Sequence, residues 1–136
     1  MRNFIRNYPL SLLFTVFIWV ICLIPIPETP LDNVHLIDKW THIALYFLLS
    51  SIIGHEFFMA QKRAQKKPLP RQLLLWEWLL PVVMGGLVEI VQATCTDGVR
   101  NGDWFDFLAD AIGSTVALLI GCILLKVRET TIALHW

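Results

Sequence analysis

Four apolar runs, separated by short polar or basic stretches, account for most of this chain. The first, Pro9 to Ile26, carries no charge between Arg6 and Glu28. The second, Trp40 to Phe58, is apolar apart from His42, two serines and the closing His55-Glu56. The third extends from about Leu73 to Ala93 and contains Pro81 and Gly85-Gly86, which a bundled helix tolerates because neighbouring helices satisfy the freed backbone groups. The fourth, Trp104 to Leu125, repeats Ala109, Gly113, Ala117 and Gly121 every four residues, a small-residue stripe that lets another helix approach closely. Each run approaches or exceeds the roughly 20 residues that cross a bilayer as a helix. No small-x-small cleavage site follows the first run, so an uncleaved helix is expected there rather than a signal peptide.

The charged residues give these runs a direction. With the N-terminus inside, Arg2, Arg6, Lys62, Arg63, Lys66, Lys67, Arg71, Lys126 and Arg128 lie on the inner side, and only Lys39 and Arg100 on the outer. Trp40 and Trp104 fall at the outer boundary, Trp76 and Trp78 at the inner one. Composition agrees: 56% of residues are hydrophobic and 16% charged, against about 25% charged in soluble domains. The expected fold is an all-α membrane protein: one compact bundle of four transmembrane helices filling residues 1–136, both termini cytoplasmic, in the cell membrane. Net charge is zero and gives no reason to expect a nucleic-acid partner. P-loop, GxSxG, HExxH and CxxC patterns are absent from the sequence, which leaves nucleotide, serine-hydrolase and common zinc chemistry without a motif. Cys22 and Cys95 both fall toward the outer side, so a bridge between them is open.

The polar residues inside the runs then become informative. Counted from the outer boundary at about 1.5 Å per residue, His42, Glu89, Asp106 and Asp110 share one layer. An ionised side chain in mid-bilayer costs about 2.5–3.5 kcal/mol on insertion scales, so these groups are expected to face one another. Helical spacing concurs: Asp38, His42 and Tyr46 are four apart, Glu89 and Gln92 three apart, and Asp103, Asp106 and Asp110 recur at i, i+3, i+7. Arg100, in a Gly- and Asn-containing outer loop, is the expected counter-charge, and Asp97 and Asp103 are expected to be solvated. His55, Glu56 and Glu77 read as interfacial groups of the inner side.

Taken together, Asp38-Lys39-x-x-His42-x-x-x-Tyr46, Glu89-x-x-Gln92, and Arg100 followed six residues later by Asp106 and thirteen later by Gly113 resemble the VanZ-like family of small membrane proteins. The likeness covers about residues 35–121. It implies a cell-envelope role; the family takes its name from a member associated with teicoplanin resistance, an antibiotic response that is not carried over to this chain. The pattern departs at Asp110, where the family commonly has Asn, and at Ala117, where it often has Gly.

Several roles stay open at this stage. His42 is a base, a metal ligand or the structural partner of a carboxylate. Glu89 and Asp106 are acid/base groups, ligands of a divalent cation together with Asp110, or ion-pair partners of Arg100. Arg100, Gln92, Tyr46, Asp38, Lys39 and Asp110 complete a ligand-binding set around candidate catalytic residues His42, Glu89 and Asp106. The expected function is recognition, and perhaps modification, of a membrane lipid or lipid-linked envelope molecule in a polar pocket at the outer leaflet. The alternatives are a structural or assembly protein and a transporter; against the last, only Ser50, Ser51 and glycines connect the outer cluster to Glu77.

Overall fold

The computed structural model describes residues 2–24, 36–96 and 102–134, and every described element is helical. In chain order these are α1 (Arg2–Asn7), α2 (Pro9–Leu23), α3 (Ile37–Arg63), α4 (Pro70–Leu73), a π-helical stretch Leu74–Leu79, α5 (Leu80–Cys95) and α6 (Trp104–Leu134). The pieces from α4 to α5 form one continuous helix, Pro70–Cys95. Three helices are long and apolar enough to cross a membrane: Ile37–Arg63, Pro70–Cys95 and the Trp104–Val127 part of α6. The outward faces fit that reading, with Leu48, Val83, Ile90, Ile112, Leu119 and Ile123 all exposed. Such a belt is costly in water and at home in hydrocarbon.

The first expected span differs. α2 has 15 residues, about 22 Å of helix against a hydrocarbon core of about 30 Å. It stops because Ile24 precedes a proline and takes an extended conformation, φ −77° and ψ 147°, as the proline ring requires of the residue before it. Residues 25 and 26, which the expected span also included, lie outside the described residues. α3 and α6 instead outrun their expected limits of 58 and 125. α3 ends at Arg63 in a Schellman turn, with the Gln65 N–H bonded to the Lys62 carbonyl and the Lys66 N–H to that of Gln61. Gln65 takes the left-handed conformation, φ 52°, that this turn needs.

α3 and α6 form the central pair. The small-residue stripe faces inward, with Ala109, Gly113, Ala117 and Gly121 all buried. A Cβ at Gly113 would collide with the Ile43 carbonyl of α3, so glycine there sets how closely the two backbones approach. The helix Pro70–Cys95 buries Leu73, Glu77, Pro81, Gly85 and Glu89, spaced four apart. In a straight α-helix that spacing would drift by about 160° over its length, and the wider π turn at Leu74–Leu79 takes part of the drift back. Apolar packing flanks the seam with Ile18, Cys22, Tyr46, Leu49, Ile53 and Val88 in one cluster, and closes its Glu77 end with Phe57, Leu73 and Leu125 in the other.

Candidate functional site

The expected polar layer forms. His42 from α3, Glu89 from α5 and Asp106 and Asp110 from α6 are all buried. His42 Nδ1 pairs with Asp110 Oδ1 at 2.8 Å. Ligand-type atoms of His42, Glu89 and Asp110 lie within 4.8 Å of one another, as do those of Asp38, His42 and Asp106. The i, i+4 ladder on α3 and the i+3, i+4 ladder on α6 produce this meeting by turning one stripe of each helix toward the other.

The cation of the layer is Lys39. Its ammonium donates to Asp103 Oδ2 at 2.6 Å and Asp106 Oδ1 at 2.5 Å, with Asp38 at 3.6 Å. Arg100, expected in that role, lies outside the described residues, as does Asp97. Asp103 is not simply a solvated loop residue. Its Oδ1 accepts the Phe105 N–H at 2.9 Å and so caps α6, and its own N–H donates to Glu89 Oε2 at 2.7 Å. The hydrogen bond from Lys39, seconded by the one from Phe105, holds the Asp103 carboxyl below its ordinary value. Sequence carried one signal for this, an Asp immediately ahead of an apolar helical run.

Two supporting residues behave differently from expectation. Gln92, placed in the ligand-binding set, turns its amide to the Cys22 carbonyl at 2.8 Å and ties α5 to α2. Tyr46 is fully buried, yet its hydroxyl has no hydrogen-bond partner among the described residues. Cys22 and Cys95 are not joined by a disulfide, so the bridge left open is not formed. Beside Glu89, between α5 and α6, lies a groove of about 350 Å³. Ile90, Ala93, Trp104 and Phe107 wall it, and Glu89 and Asp103 stand at its polar end.

No family model, curated protein or solved structure matches this chain.

At the opposite end of the bundle, Glu56 and Glu77 correct the interfacial reading, for both are buried; only His55 is exposed. Glu56 accepts the Leu10 N–H at 2.9 Å, the Ser11 N–H at 3.0 Å and the Ser11 hydroxyl at 2.5 Å. It caps α2 from another helix, doing what Tyr8 at the N-cap position does not. Glu77 nests against Gly54 and Gly121, where a Cβ on either would come within 2.7 Å of its carboxyl group. Trp78, expected at the boundary, sits eight residues past Pro70, and its indole donates to Thr115 Oγ1 at 2.9 Å in the middle of α6.

The buried side-chain oxygens without a partner among the described residues are Tyr46 Oη, Ser50 Oγ, Glu77 Oε2, Glu89 Oε1, Asp110 Oδ2 and Ser114 Oγ. All belong to the helix stripes that meet along one seam, from Glu89 to Glu77. Buried polar groups are nearly always satisfied, so such exceptions mark places where water, an ion or a ligand completes the structure.

Proposed function

We propose that this chain is a VanZ-like cell-envelope protein of the cell membrane that recognises the head group of an amphipathic or lipid-linked molecule in the outer leaflet. The groove carries the reading. Its walls are mainly apolar, and Glu89, a member of the buried His42–Glu89–Asp106–Asp110 layer, lines it together with Asp103, so one amphiphile can set its tail on the walls and its head group beside these carboxylates. In this reading Pro9–Ile26 is a fourth span, both termini are cytoplasmic, and the nine-to-two Lys/Arg distribution sets the direction. Arg100, in the loop sequence ahead of α6, supplies a positive charge for an anionic head group. His42, paired with Asp110, and Glu89 are the groups positioned to take or give a proton.

Native mass spectrometry of the full chain, released from nanodiscs of total envelope lipid, tests this. The wild-type chain retains an amphiphile, and Ala93→Trp, which fills the groove, loses it. Equal retention by a folded Ala93→Trp protein would overturn the reading.

A non-catalytic assembly role competes with it, and Lys39 supplies the discriminating test because it is the described partner of Asp106. Exchanging the two charges, Lys39→Asp with Asp106→Lys, restores folding under either reading; it restores an envelope phenotype lost in the single variants only under the assembly reading. A transport reading also has an observation in its favour: Tyr46, Ser50 and Ser114 supply buried hydroxyls between the outer layer and Glu77, more than the two serines visible along the sequence. The Phe57–Leu73–Leu125 cluster closes that path at its far end, so ion flux across reconstituted vesicles is expected to stay at background.

A further inference from the structure

The described layer is short of positive charge. Asp38, Glu89, Asp103, Asp106 and Asp110 face one ammonium and one imidazole. Lys39 is taken up by Asp103 and Asp106, which leaves Glu89 and Asp110 with His42 alone. Neither carboxylate is fully used: Glu89 Oε1 and Asp110 Oδ2 are buried and unpartnered, in side chains belonging to residues 8% and 0% exposed. Asp110 Oδ2 lodges over Gly85 of α5, where a Cβ would stand 2.5 Å away, and Glu89 stands on the next turn of that helix. Three helices thus each deliver one ligand-type atom to a region no more than 4.8 Å across. First-row divalent ions bind such atoms at about 2.0–2.2 Å, setting neighbouring ligands roughly 3–3.5 Å apart, within reach of small torsions of Glu89 and Asp110. Two carboxylates with one imidazole suit Mn²⁺ and its neighbours.

We propose that His42, Glu89 and Asp110 hold one first-row divalent cation, whose remaining coordination positions open toward the groove and take a phosphate oxygen of the bound head group. The second half rests on the head-group reading above and sharpens its substrate class: an acidic site receives an anionic lipid through a metal ion. Asp38, His42 and Asp106 make the weaker set, because Asp38 is exposed and Asp106 is already held by Lys39.

The experiment is a Mn²⁺ titration of the full chain, stripped with chelator in detergent without added lipid and followed by the loss of the free Mn²⁺ electron paramagnetic resonance signal. Saturation at one ion per chain is expected. Glu89→Gln, His42→Gln and Asp110→Asn each weaken it at least tenfold, while Glu77→Gln, which neutralises an equally buried carboxyl at the other end of the seam, leaves it unchanged. Monodispersity and tryptophan fluorescence report folding, and Glu89→Gln carries the test where another variant fails to fold. Absence of saturable uptake, or a site lost with Glu77→Gln and kept with Glu89→Gln, overturns the metal site. A second arm measures ³¹P relaxation of dihexanoyl phosphatidic acid and of inorganic phosphate beside the loaded protein. Enhancement for the lipid supports the head-group half; enhancement for inorganic phosphate alone, or for neither, overturns that half and leaves the ion-binding result standing on its own.

Discussion

Glu56 and Glu89 are both acids buried in an apolar bundle, and they are accommodated in opposite ways. Glu56 receives two backbone N–H groups and a hydroxyl, so the first turn of α2 absorbs its charge. Glu89 receives one backbone N–H on one oxygen, and the other has no partner among the described residues. A satisfied buried carboxylate fixes the packing of two helices. An unsatisfied one leaves bonding capacity for something that arrives from outside, and it is retained at a cost that packing does not repay.

Substitutions sharpen that contrast. Glu56→Ala strips α2 of its cap and leaves the Leu10 and Ser11 N–H groups without acceptors. The loss should be about 3 kcal/mol, since hydrogen bonds to charged groups are worth about 1.5–3 kcal/mol each and part of the gap rehydrates. A fall in unfolding midpoint in denaturant-titrated micelles checks it. Glu89→Gln keeps an oxygen for the Asp103 N–H and removes a buried charge, so its stability should stay within about 1 kcal/mol of wild type or rise, while amphiphile retention is lost. If Glu89→Gln proves the more destabilising of the two, the contrast between cap and site fails.

The smallest effect concerns pH. Because Lys39 holds the Asp103 carboxyl below its ordinary value near 3.8, the folded state binds that proton less readily than the unfolded chain. The stabilisation is complete above that ordinary value and is lost as pH falls through the lowered folded one. Asp103→Asn should therefore flatten the acid limb of the stability profile and leave the neutral region nearly unchanged, since the pair is partly exposed and water screens it. An acid limb as steep as that of the wild type would show that Asp103 is not held.

Much of this was legible from periodicity. The inward stripes of α3 and α6 follow from residues four apart, and the layer at His42, Glu89, Asp106 and Asp110 follows from counting turns. The partners were less legible. Lys39 and Asp103 are 64 positions apart, and nothing in the local pattern marks Lys39 as a counter-charge of α6. Glu56 was misread for a physical reason: its partner is a helix end, a set of N–H groups with no residue type to mark it. Gln92 shares a face with Glu89 by spacing, yet a long side chain can reach a neighbouring carbonyl instead. The π turn follows from the four-residue spacing of buried positions, which becomes evident only when burial is known.

The central claim is that distant polar side chains meet in a single layer, and the pair His42–Asp110 tests it most directly. In the full chain reconstituted in lipid, ¹⁵N-labelled histidine and ¹³C-labelled aspartate should show strong nitrogen–carboxyl dipolar dephasing for His42, reflecting the 2.8 Å contact, and Asp110→Asn should remove the fast component and leave only the slower build-up from Asp38 and Asp106. A His42 signal without dephasing in the folded wild-type protein, or one whose dephasing is unchanged by Asp110→Asn, would contradict the account.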